Sequence, residues 1–262
     1  MKASTTPHHR IFSSIVVITL WLLLWQGAYL VVGEDLLLVS PVATLQRIFQ
    51  LMGSGGFWQI VFGSVGRILL GFAMGLLLGT VIAAVTARSR ALYAFFSLPM
   101  SMIKATPVAS FVILALVWIR GTNLSAFIAF LMVLPLIWSN VHEGITQTDP
   151  KLLEMAAVYR LPRRAVLKNI TVPAVLPYFL SAAKVGLGFS WKAGIAGEVI
   201  AIPANAIGTQ LYNAKIYLET PDLFAWTAVI ILLSVFLERL MVSGINALAR
   251  QVNRLAEQEV PK

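Results

Sequence analysis

The sequence contains no cysteine, and only 12% of its residues are charged, whereas a soluble domain usually carries about 25%. The lack of cysteine excludes a disulfide framework, a thiol nucleophile and a thiolate metal site. The low charge stands beside 58% hydrophobic residues and a mean hydropathy of +0.83, which excludes a disordered chain and an ordinary soluble enzyme. Only a bilayer tolerates so much apolar surface, so the composition indicates an integral membrane protein.

The sequence also lacks the motifs of ATP hydrolysis, of metal binding and of a membrane hydrolase. The sequence has no Gly-x4-Gly-Lys-Ser/Thr phosphate loop, so we do not expect this chain to hydrolyse ATP. His142 is the only histidine outside the N-terminal tail, so we expect no metal site and no resident cofactor. A membrane hydrolase needs a base beside its nucleophile, but Ser190 and Lys192 are two residues apart and point to different helix faces. We therefore predict that the chain is not an enzyme and has no catalytic residue.

Long apolar runs predict membrane-spanning helices. About 20 apolar residues in a helix cross a ~30 Å hydrocarbon core. Six candidate regions follow one another, at residues 11–32, 68–87, 91–119, 121–141, 173–202 and 223–243. The first region follows a basic tail, as in a signal peptide, but it is too long for the apolar part of one. We therefore expect it to be an uncleaved first helix.

Prolines, glycines and a short link predict details of three regions. Pro99, Lys104 and Pro107 interrupt the third region, so we expect a short interfacial piece followed by a span. The short 120–123 link predicts that spans three and four form a tight antiparallel hairpin. The second region carries three glycines at four-residue intervals, Gly71, Gly75 and Gly79. Such a row lets two membrane helices approach closely.

Basic residues are distributed unequally between the two sets of loops. Six spans place both termini on one side, where 13 lysines and arginines lie, against 4 on the other side and 3 within spans. Because basic loops stay in the cytoplasm, we predict cytoplasmic termini, external loops at 33–60, 120–123 and 203–222, and internal loops at 88–90 and 142–170. The excess of basic residues therefore indicates the orientation of the chain in the membrane. No segment is long enough to form a basic soluble module for nucleic acid.

The 142–170 loop has the features of a binding element. Thr148-Asp149-Pro150 is a helix start, with an oxygen cap and a proline in the first turn. Pro162 should end or kink this helix, and a second short helix with three basic residues is expected at 163–169. Two roles fit the pattern equally well, namely an amphipathic segment on anionic lipid and a docking site for a protein partner.

The same loop resembles the EAA loop of binding-protein-dependent ABC importer permeases. Glu154, Ala156 and Ala157 stand for the start of that motif, and Ile170-Thr171-Val172-Pro173 stands for its Ile-x-Leu-Pro end. Arg160 occupies the glycine position of the motif. Because arginine pays a penalty in the left-handed conformation that glycine does not, we expect Leu161-Pro162 to make the turn instead.

The resemblance extends over roughly residues 60–245. Its further matches are Arg67-x3-Gly71-Phe72, the 107–118 stretch, Ala196-Gly197-Glu198-Val199-Ile200 and Ile207-Gly208. These features look most like the nitrate/sulfonate/taurine branch. The resemblance implies an all-α, six-span permease of the type I ABC importer fold in the bacterial inner membrane. We accordingly divide the chain into 1–60 (tail, first span and external loop), 61–245 (permease core with the 142–170 loop) and 246–262 (cytoplasmic tail).

The resemblance also implies partners. The short helix would dock onto a cytosolic ATPase subunit, which would hold ATP and Mg. The coupling residues would be Leu153, Glu154, Ala156, Ala157, Tyr159, Arg160 and Leu161. A second copy of the permease, two ATPase subunits and an external substrate-binding protein would complete the transporter in its membrane lipid.

Charges within the spans are the candidate path residues. Each charge at a helix centre costs about 2.5–3.5 kcal/mol on insertion scales, so each should face protein or water. We expect Lys104, Lys192 and Glu198 to line the solute path. For Lys192 the alternative is a contact inside the bundle, and for Glu198 it is a structural role at the outer interface. We expect Lys184 to reach the cytoplasmic interface.

The excess of lysine over glutamate within the spans favours a small anionic substrate such as a sulfonate or nitrate. A permease for another small nutrient, such as an aromatic acid, a vitamin or a vitamin precursor, is also compatible with the sequence. So is a non-transporting membrane anchor subunit. An ion-coupled secondary transporter is less compatible, since such proteins usually contain internal repeats with broken helices.

Overall fold

A computed structural model describes residues 7–258, and it describes side chains between residues 15 and 244. The helices are α1 (Pro7–Val32), α2 (Pro41–Met52), α3 (Phe57–Thr86), α4 (Arg90–Ala105), α5 (Val108–Ala115), α6 (Gly121–Thr146), α7 (Pro150–Val158), α8 (Arg163–Val166), α9 (Val172–Ala201), α10 (Ile207–Ile216) and α11 (Thr220–Gln258). A π-helical turn, Leu167–Thr171, joins α8 to α9. The predicted all-α class is confirmed, since residues 7–258 contain no strand.

Five helices are long and apolar enough to cross a membrane, and a bent pair makes a sixth span if it counts as one. The five stretches are Ile15–Val32, Phe57–Thr86, Gly121–Thr146, Arg163–Ala201 and Thr220–Gly244. The six predicted regions correspond to these stretches and the bent pair. The start of the second region was wrong, because α3 begins at Phe57 rather than at residue 68. Arg67, which precedes the predicted span, therefore lies inside a helix.

The bent pair is α4 and α5, whose axes differ by 104°. Thr106, between them, is extended, which is the conformation that a following proline favours. The predicted order of a short piece and then a span is wrong, because α4 has 16 residues and α5 only 8. An eight-residue helix is about 12 Å long and does not cross a ~30 Å core by itself.

Helix α3 packs closely on α6 through its glycine row. A Cβ at Gly71 would overlap the Ala126 carbonyl oxygen, and one at Gly75 would lie 2.7 Å from Val133 Cβ. A Cβ at Gly79 would come within 2.9 Å of Ile137 Cβ. The predicted close approach at the small-residue row is therefore confirmed, and α6 is the partner helix.

Contacts at the helix ends fix the course of the chain between residues 60 and 209. Trp138 Nε1 donates to Thr86 Oγ1 at 3.1 Å, which places the end of α3 beside the last turns of α6. At the other end of α6, Gly121 lies against the carbonyl of Ala201, the last residue of α9. Helix α6 therefore runs parallel to α3 and antiparallel to α9.

The predicted hairpin of spans three and four is confirmed with a short first arm. Val112 and Ala115 of α5 pack in one buried cluster with Leu124 and Ile128 of α6. Farther along, Lys104 Nζ at the end of α4 donates to Ser139 Oγ of α6 at 3.3 Å. Helix α5 thus runs back along α6 in the antiparallel sense, whereas α4, whose axis differs from that of α5 by 104°, meets α6 near Ser139.

The described residues form two compact units. One comprises the described residues up to Gln59 together with Gln210–Ile230, and the other comprises Ile60–Thr209 together with the described residues from Ile231 onward. The predicted division at 60/61 and 245/246 stays a prediction. Of the predicted tails, residues 1–6 and 259–262 lie outside the described residues, as do the side chains before residue 15 and after residue 244. The segment 246–258 continues α11.

In the first unit, the predicted 33–60 loop contains the helix α2. Ser40 caps it by accepting a hydrogen bond from the Ala43 amide at 3.1 Å. Arg47 of α2 forms a two-pronged ion pair with Asp222, in which Arg47 NH2 lies 2.9 Å from Asp222 Oδ2. The hydrogen bond to Asp222 raises the pKa of the Arg47 guanidinium above its ordinary value, against the effect of desolvation.

Candidate functional site

Helix α7, in the connection between α6 and α9, begins at the predicted cap. The Asp149 carboxylate accepts a hydrogen bond from the Lys151 amide at 2.9 Å, and Pro150 occupies the first turn. Thr148 is buried and donates to the Gly144 carbonyl at 3.3 Å, which ties the start of α7 to the end of α6. The sequence signal of an oxygen cap followed by proline therefore located this helix correctly.

The end of α7 corrects a prediction. Arg160 itself adopts the left-handed conformation, with φ of 50°. The Leu161 amide donates to the Ala156 carbonyl at 2.9 Å and the Arg160 amide donates to the Ala157 carbonyl at 3.1 Å. This pair of bonds is a Schellman motif, which satisfies two carbonyls that the helix end would otherwise leave open. The expectation that Leu161-Pro162 would make the turn instead was wrong.

The segment after the turn also differs from the prediction. Pro162 does not kink α7, because α7 has already ended, and instead it precedes the first residue of α8. The second short helix expected at 163–169 is not separate, since α8 passes through the π-helical turn into α9. Ile170, in this turn, is buried. The basic residues at 163–168 therefore belong to the first turns of a long helix.

The surface of α7 is mostly apolar and uncovered. Every residue of the helix except Ala156 is exposed, and Glu154 stands among apolar neighbours. The exposed apolar side chains here are Leu152, Leu153, Met155, Val158, Tyr159 and Leu161. Val158 and Tyr159 are 79% and 74% exposed. A short helix held rigidly at both ends and left apolar on its outer surface is suited to docking in a groove.

Glu198, a predicted path residue, lies at the centre of a buried polar network. Its side chain is 0% exposed. One oxygen pairs with Arg67 NH2 at 2.9 Å, and the other accepts from Ser64 Oγ at 2.8 Å and from the Gly208 amide at 3.2 Å. Both oxygens are therefore engaged inside the protein. These contacts favour the structural alternative for Glu198.

The network joins α3, α9 and the start of α10. Ser64 Oγ also accepts from the Ile207 amide at 2.9 Å, and Arg67 NH2 donates to the Asn205 carbonyl at 3.1 Å. A Cβ at Gly208 would overlap Glu198, so only glycine permits this approach. Arg67 and Ser64 were not predicted as partners of Glu198. Their three-residue spacing on one helix face, with one charged member, is the only signal that could have suggested them.

Lys104 borders a cavity at the bend between α4 and α5. The cavity has a volume of about 480 Å³, and apart from Lys104 and Thr106 its walls are mainly apolar. The other walls include Pro107, Met132, Pro135, Leu136 and Phe189. Lys104 donates to Ser139 Oγ at 3.3 Å and remains exposed. This arrangement places one cation at the edge of an apolar pocket, as in a site for a small anion.

Lys192 lies on the exposed side of α9. Its neighbours Trp191 and Ala193 are buried, whereas Lys192 is exposed. Among the described side chains, none forms a hydrogen bond or an ion pair with Lys192. Phe189 is one helical turn away and lines the Lys104 cavity. The structure therefore brings Lys104 and Lys192 to the same side of α9, and it separates both from the Glu198 network.

Lys184 is paired rather than solitary. Its ammonium nitrogen lies 3.8 Å from Glu238 Oε1 of α11, and about half of each side chain is exposed. This pairing was not expected, because the two residues are far apart in the sequence. It borders a second cavity, between α9 and α11.

Comparison with known families is consistent with this architecture. Residues 71–254 match the model of the family described as binding-protein-dependent transport system inner membrane component. A crystal structure of a bacterial alginate ABC transporter, in complex with a periplasmic protein bound to an alginate pentasaccharide, contains a similar chain. The TM-score is 0.57 at 14% identity, with 92% of this chain and 94% of the other chain covered.

Two curated relatives are similar over most of their length. The taurine transport system permease protein TauC of Escherichia coli (strain K12) is 24% identical over 243 residues, which are 90% of this chain and 86% of the relative. The nitrate import permease protein NrtB of Synechocystis sp. (strain ATCC 27184 / PCC 6803 / Kazusa) is 25% identical over 215 residues, or 78% and 77%. The chain therefore belongs to the binding-protein-dependent ABC importer permeases, multi-pass membrane proteins, and to their nitrate/sulfonate/taurine-type branch.

Proposed function

We propose that the chain forms the solute path of an ATP-driven importer for a small anion of the sulfonate or nitrate kind. In this proposal two copies pair in the bacterial inner membrane, and α7 of each copy docks onto a cytosolic ATPase subunit that holds ATP and Mg. An external binding protein delivers the solute. The main support for this proposal is the exposed apolar surface of α7. Within the described residues of a single chain nothing covers this surface, so we expect another protein to cover it.

The docking role follows from how α7 is held. The Asp149 cap and the Schellman turn at Arg160 fix both ends of the helix, so a force applied to α7 is transmitted to α6 and α9 rather than absorbed by a flexible loop. Glu154 adds a charge that sets orientation in a groove. The contact set in this proposal is Leu153, Glu154, Ala157, Tyr159, Arg160 and Leu161. The prediction that Ala156 also belongs to it was wrong, because Ala156 is buried.

Replacement of Glu154 tests the docking role. Glu154→Lys reverses a charge at the centre of the proposed contact, so we expect the amount of co-purified ATPase to fall about tenfold or more and uptake to be lost. The melting temperature of the permease should not change, because Glu154 is exposed. Glu34→Lys, the same change at an exposed glutamate of another segment, is the matched control. Normal co-purification and uptake of the Glu154 variant would show that α7 does not dock the ATPase.

The path is proposed along the exposed side of α9. Val185, Phe189, Lys192 and Ala196 lie exposed along this side at helical spacing, and Lys104 borders it through the cavity that Phe189 lines. Two cations next to an apolar wall favour an anion. The names of the two relatives refer to taurine and nitrate. Taurine carries a sulfonate group and nitrate is itself an oxyanion, which supports an anionic substrate.

A neutral substitution tests the path. In Lys192→Met we expect uptake to fall about tenfold or more, which corresponds to the loss of one charge-assisted contact. The melting temperature should stay constant, because Lys192 has no bond to lose within the described residues. Lys215→Met, at an exposed lysine of α10, is the matched control. A lower melting temperature with unchanged uptake per folded complex would mean that Lys192 serves the bundle and not the solute.

A further inference from the structure

A second cavity lies between α9 and α11, and it shares no lining residue with the Lys104 cavity or with the Glu198 network. Its volume is about 310 Å³. Its polar walls are Ser181, Lys184, Ser234 and Glu238. The buried side chains of Leu187, Trp191 and Leu237 form an apolar floor. The cavity thus combines an apolar floor with two opposite charges and two hydroxyl groups.

The two charges do not satisfy each other fully. Lys184 Nζ and Glu238 Oε1 are 3.8 Å apart, whereas a hydrogen bond between such groups measures about 2.7–3.2 Å. The side chains are 50% and 59% exposed, so each retains hydrogen-bonding capacity towards the cavity mouth. An ammonium offers three donors and a carboxylate about four acceptor positions. Most of this capacity is therefore open to a ligand.

The depth of the pair in the membrane narrows the choice of ligand. Lys184 lies roughly 25 Å along α9 from Ala201, where the helix ends. A hydrocarbon core of ~30 Å measured from that end places Lys184 and its partner near the opposite edge of the core. At this level polar headgroups and water meet the acyl chains, so a charged ligand can reach the cavity.

We propose that this cavity binds a zwitterion in which an ammonium group and an oxyanion are joined by two carbons. Lys184, with the Ser181 and Ser234 hydroxyls, would bind the oxyanion, and Glu238 would accept hydrogen bonds from the ammonium. A two-carbon linker is short enough to set its two charges against a pair 3.8 Å apart. The volume is at the lower end of the range for ligand pockets, which suits a group of this size.

Two sources share this chemistry. One is the headgroup of an ethanolamine phospholipid, and the other is a free solute such as an aminosulfonate. A purely anionic headgroup would meet the Glu238 carboxylate without an ammonium to neutralise it, so it should bind less well. The site differs from the proposed solute path in having a carboxylate among its ligands, and it does not depend on the docking role of α7.

The experiment measures binding to the intact transporter complex in detergent. The lipid probe is a short-chain phosphatidylethanolamine, with phosphatidylglycerol of the same chains for comparison, and binding is measured by native mass spectrometry. The soluble probes are phosphoethanolamine and taurine, measured by calorimetry. We expect one of the two zwitterion sources to bind, and the wild type to prefer it to its purely anionic counterpart about tenfold or more.

Three variants identify the site. Lys184→Met and Glu238→Gln should each weaken zwitterion binding about tenfold or more, which matches the loss of one charge-assisted hydrogen bond. Glu238→Gln should not weaken binding of the anionic probe. Lys168→Met, the same change at an exposed lysine outside the cavity, is the control and should bind as the wild type does. A charge-exchanged variant, Lys184→Glu with Glu238→Lys, should recover binding, since the zwitterion can bind in the reverse sense.

The outcomes separate the possibilities. Binding of the lipid alone, lost in Lys184→Met and Glu238→Gln, identifies the phospholipid headgroup, and binding of the free probes with the same losses identifies a solute. Equal binding of zwitterionic and anionic probes overturns the proposal. So does zwitterion binding that survives both single variants, or no binding to a wild type that melts normally and is active.

Discussion

At the scale of single residues, Glu198 should contribute more to stability than the other charged groups of the described side chains. It is completely buried and holds Arg67, Ser64 and the Gly208 amide together. Removal of one partner of a buried ion pair leaves the other charge uncompensated and typically costs about 3–5 kcal/mol. We therefore expect Glu198→Ala to lower the melting temperature of the solubilised protein strongly.

Two further variants check this explanation. Glu34→Ala, at an exposed glutamate, should leave the melting temperature nearly unchanged. The double variant Arg67→Met with Glu198→Leu removes both charges and should recover part of the lost stability, since apolar replacement of a buried ion pair is often tolerated. If Glu198→Ala melts with the wild type, the network contributes nothing measurable and our structural assignment is wrong.

The conformation of Arg160 was not predicted correctly from the sequence. The motif located the residue, but the conformational penalty of arginine argued against a left-handed turn there. In the structure, two backbone hydrogen bonds from Arg160 and Leu161 close the end of α7. The left-handed conformation costs about 1–2 kcal/mol for a residue with a Cβ, and the two bonds offset it because the carbonyls would otherwise lack partners. The hydrogen bonds needed at the end of the helix therefore outweighed the conformational preference of Arg160.

At the scale of helices, the α3–α6 contact depends on the absence of side chains on α3. A Cβ at Gly71 would overlap the backbone of Ala126, which cannot move without shifting α6. We expect Gly71→Ala to lower the melting temperature and the yield of folded protein, at a cost of about 1–3 kcal/mol for overpacking. Melting curves of purified protein measure the change.

Gly66 provides the matched control on the same helix. A Cβ at Gly66 meets no atom within 4 Å, so Gly66→Ala should be neutral or stabilising by up to about 1 kcal/mol, as expected from helix propensity. The opposite signs of two identical substitutions, five residues apart, would attribute the effect of Gly71→Ala to the contact with α6. Similar melting temperatures for both variants would mean that the helices separate without cost.

The helices were predictable to the extent that each is encoded locally. Apolar runs located the spans, and the glycine row predicted a close approach. The start of α3 was missed because the segment from Phe57 to Arg67 contains polar residues that interrupt the apolar run. The lengths of α4 and α5 were missed because Pro107 marks where the chain bends but not how the residues on either side are shared.

At the scale of the whole molecule, the decisive contacts join distant parts of the sequence. The Arg67–Glu198 and Lys184–Glu238 pairs connect residues more than 50 positions apart, and no local pattern specifies them. One pair is buried with every oxygen of its carboxylate engaged, whereas the other is half-exposed beside a cavity. The intramembrane charges are recognisable in the sequence as unusual, but only the packing of α9 against its neighbours separates a structural charge from one open to a ligand.

The orientation of the molecule in the membrane is a separate prediction, because it follows from the 13-to-4 distribution of basic residues and not from the packing. The chain has no cysteine, so single cysteines can report which side a segment occupies. Thr148 would be a poor position, since it is buried and bonded to Gly144. Gln147, in the same connection, and Gln46, on α2, are both exposed.

We expect a membrane-impermeant maleimide to label Gln46→Cys in intact cells and to leave Gln147→Cys unlabelled. Permeabilised cells should allow labelling of both, which controls for the reactivity of the cysteine on the cytoplasmic side. The physical reason is that the loops with most lysines and arginines are retained in the cytoplasm during insertion. Labelling of Gln147→Cys in intact cells, with Gln46→Cys protected, would reverse the orientation, place α7 outside and remove the basis for its docking to a cytosolic ATPase.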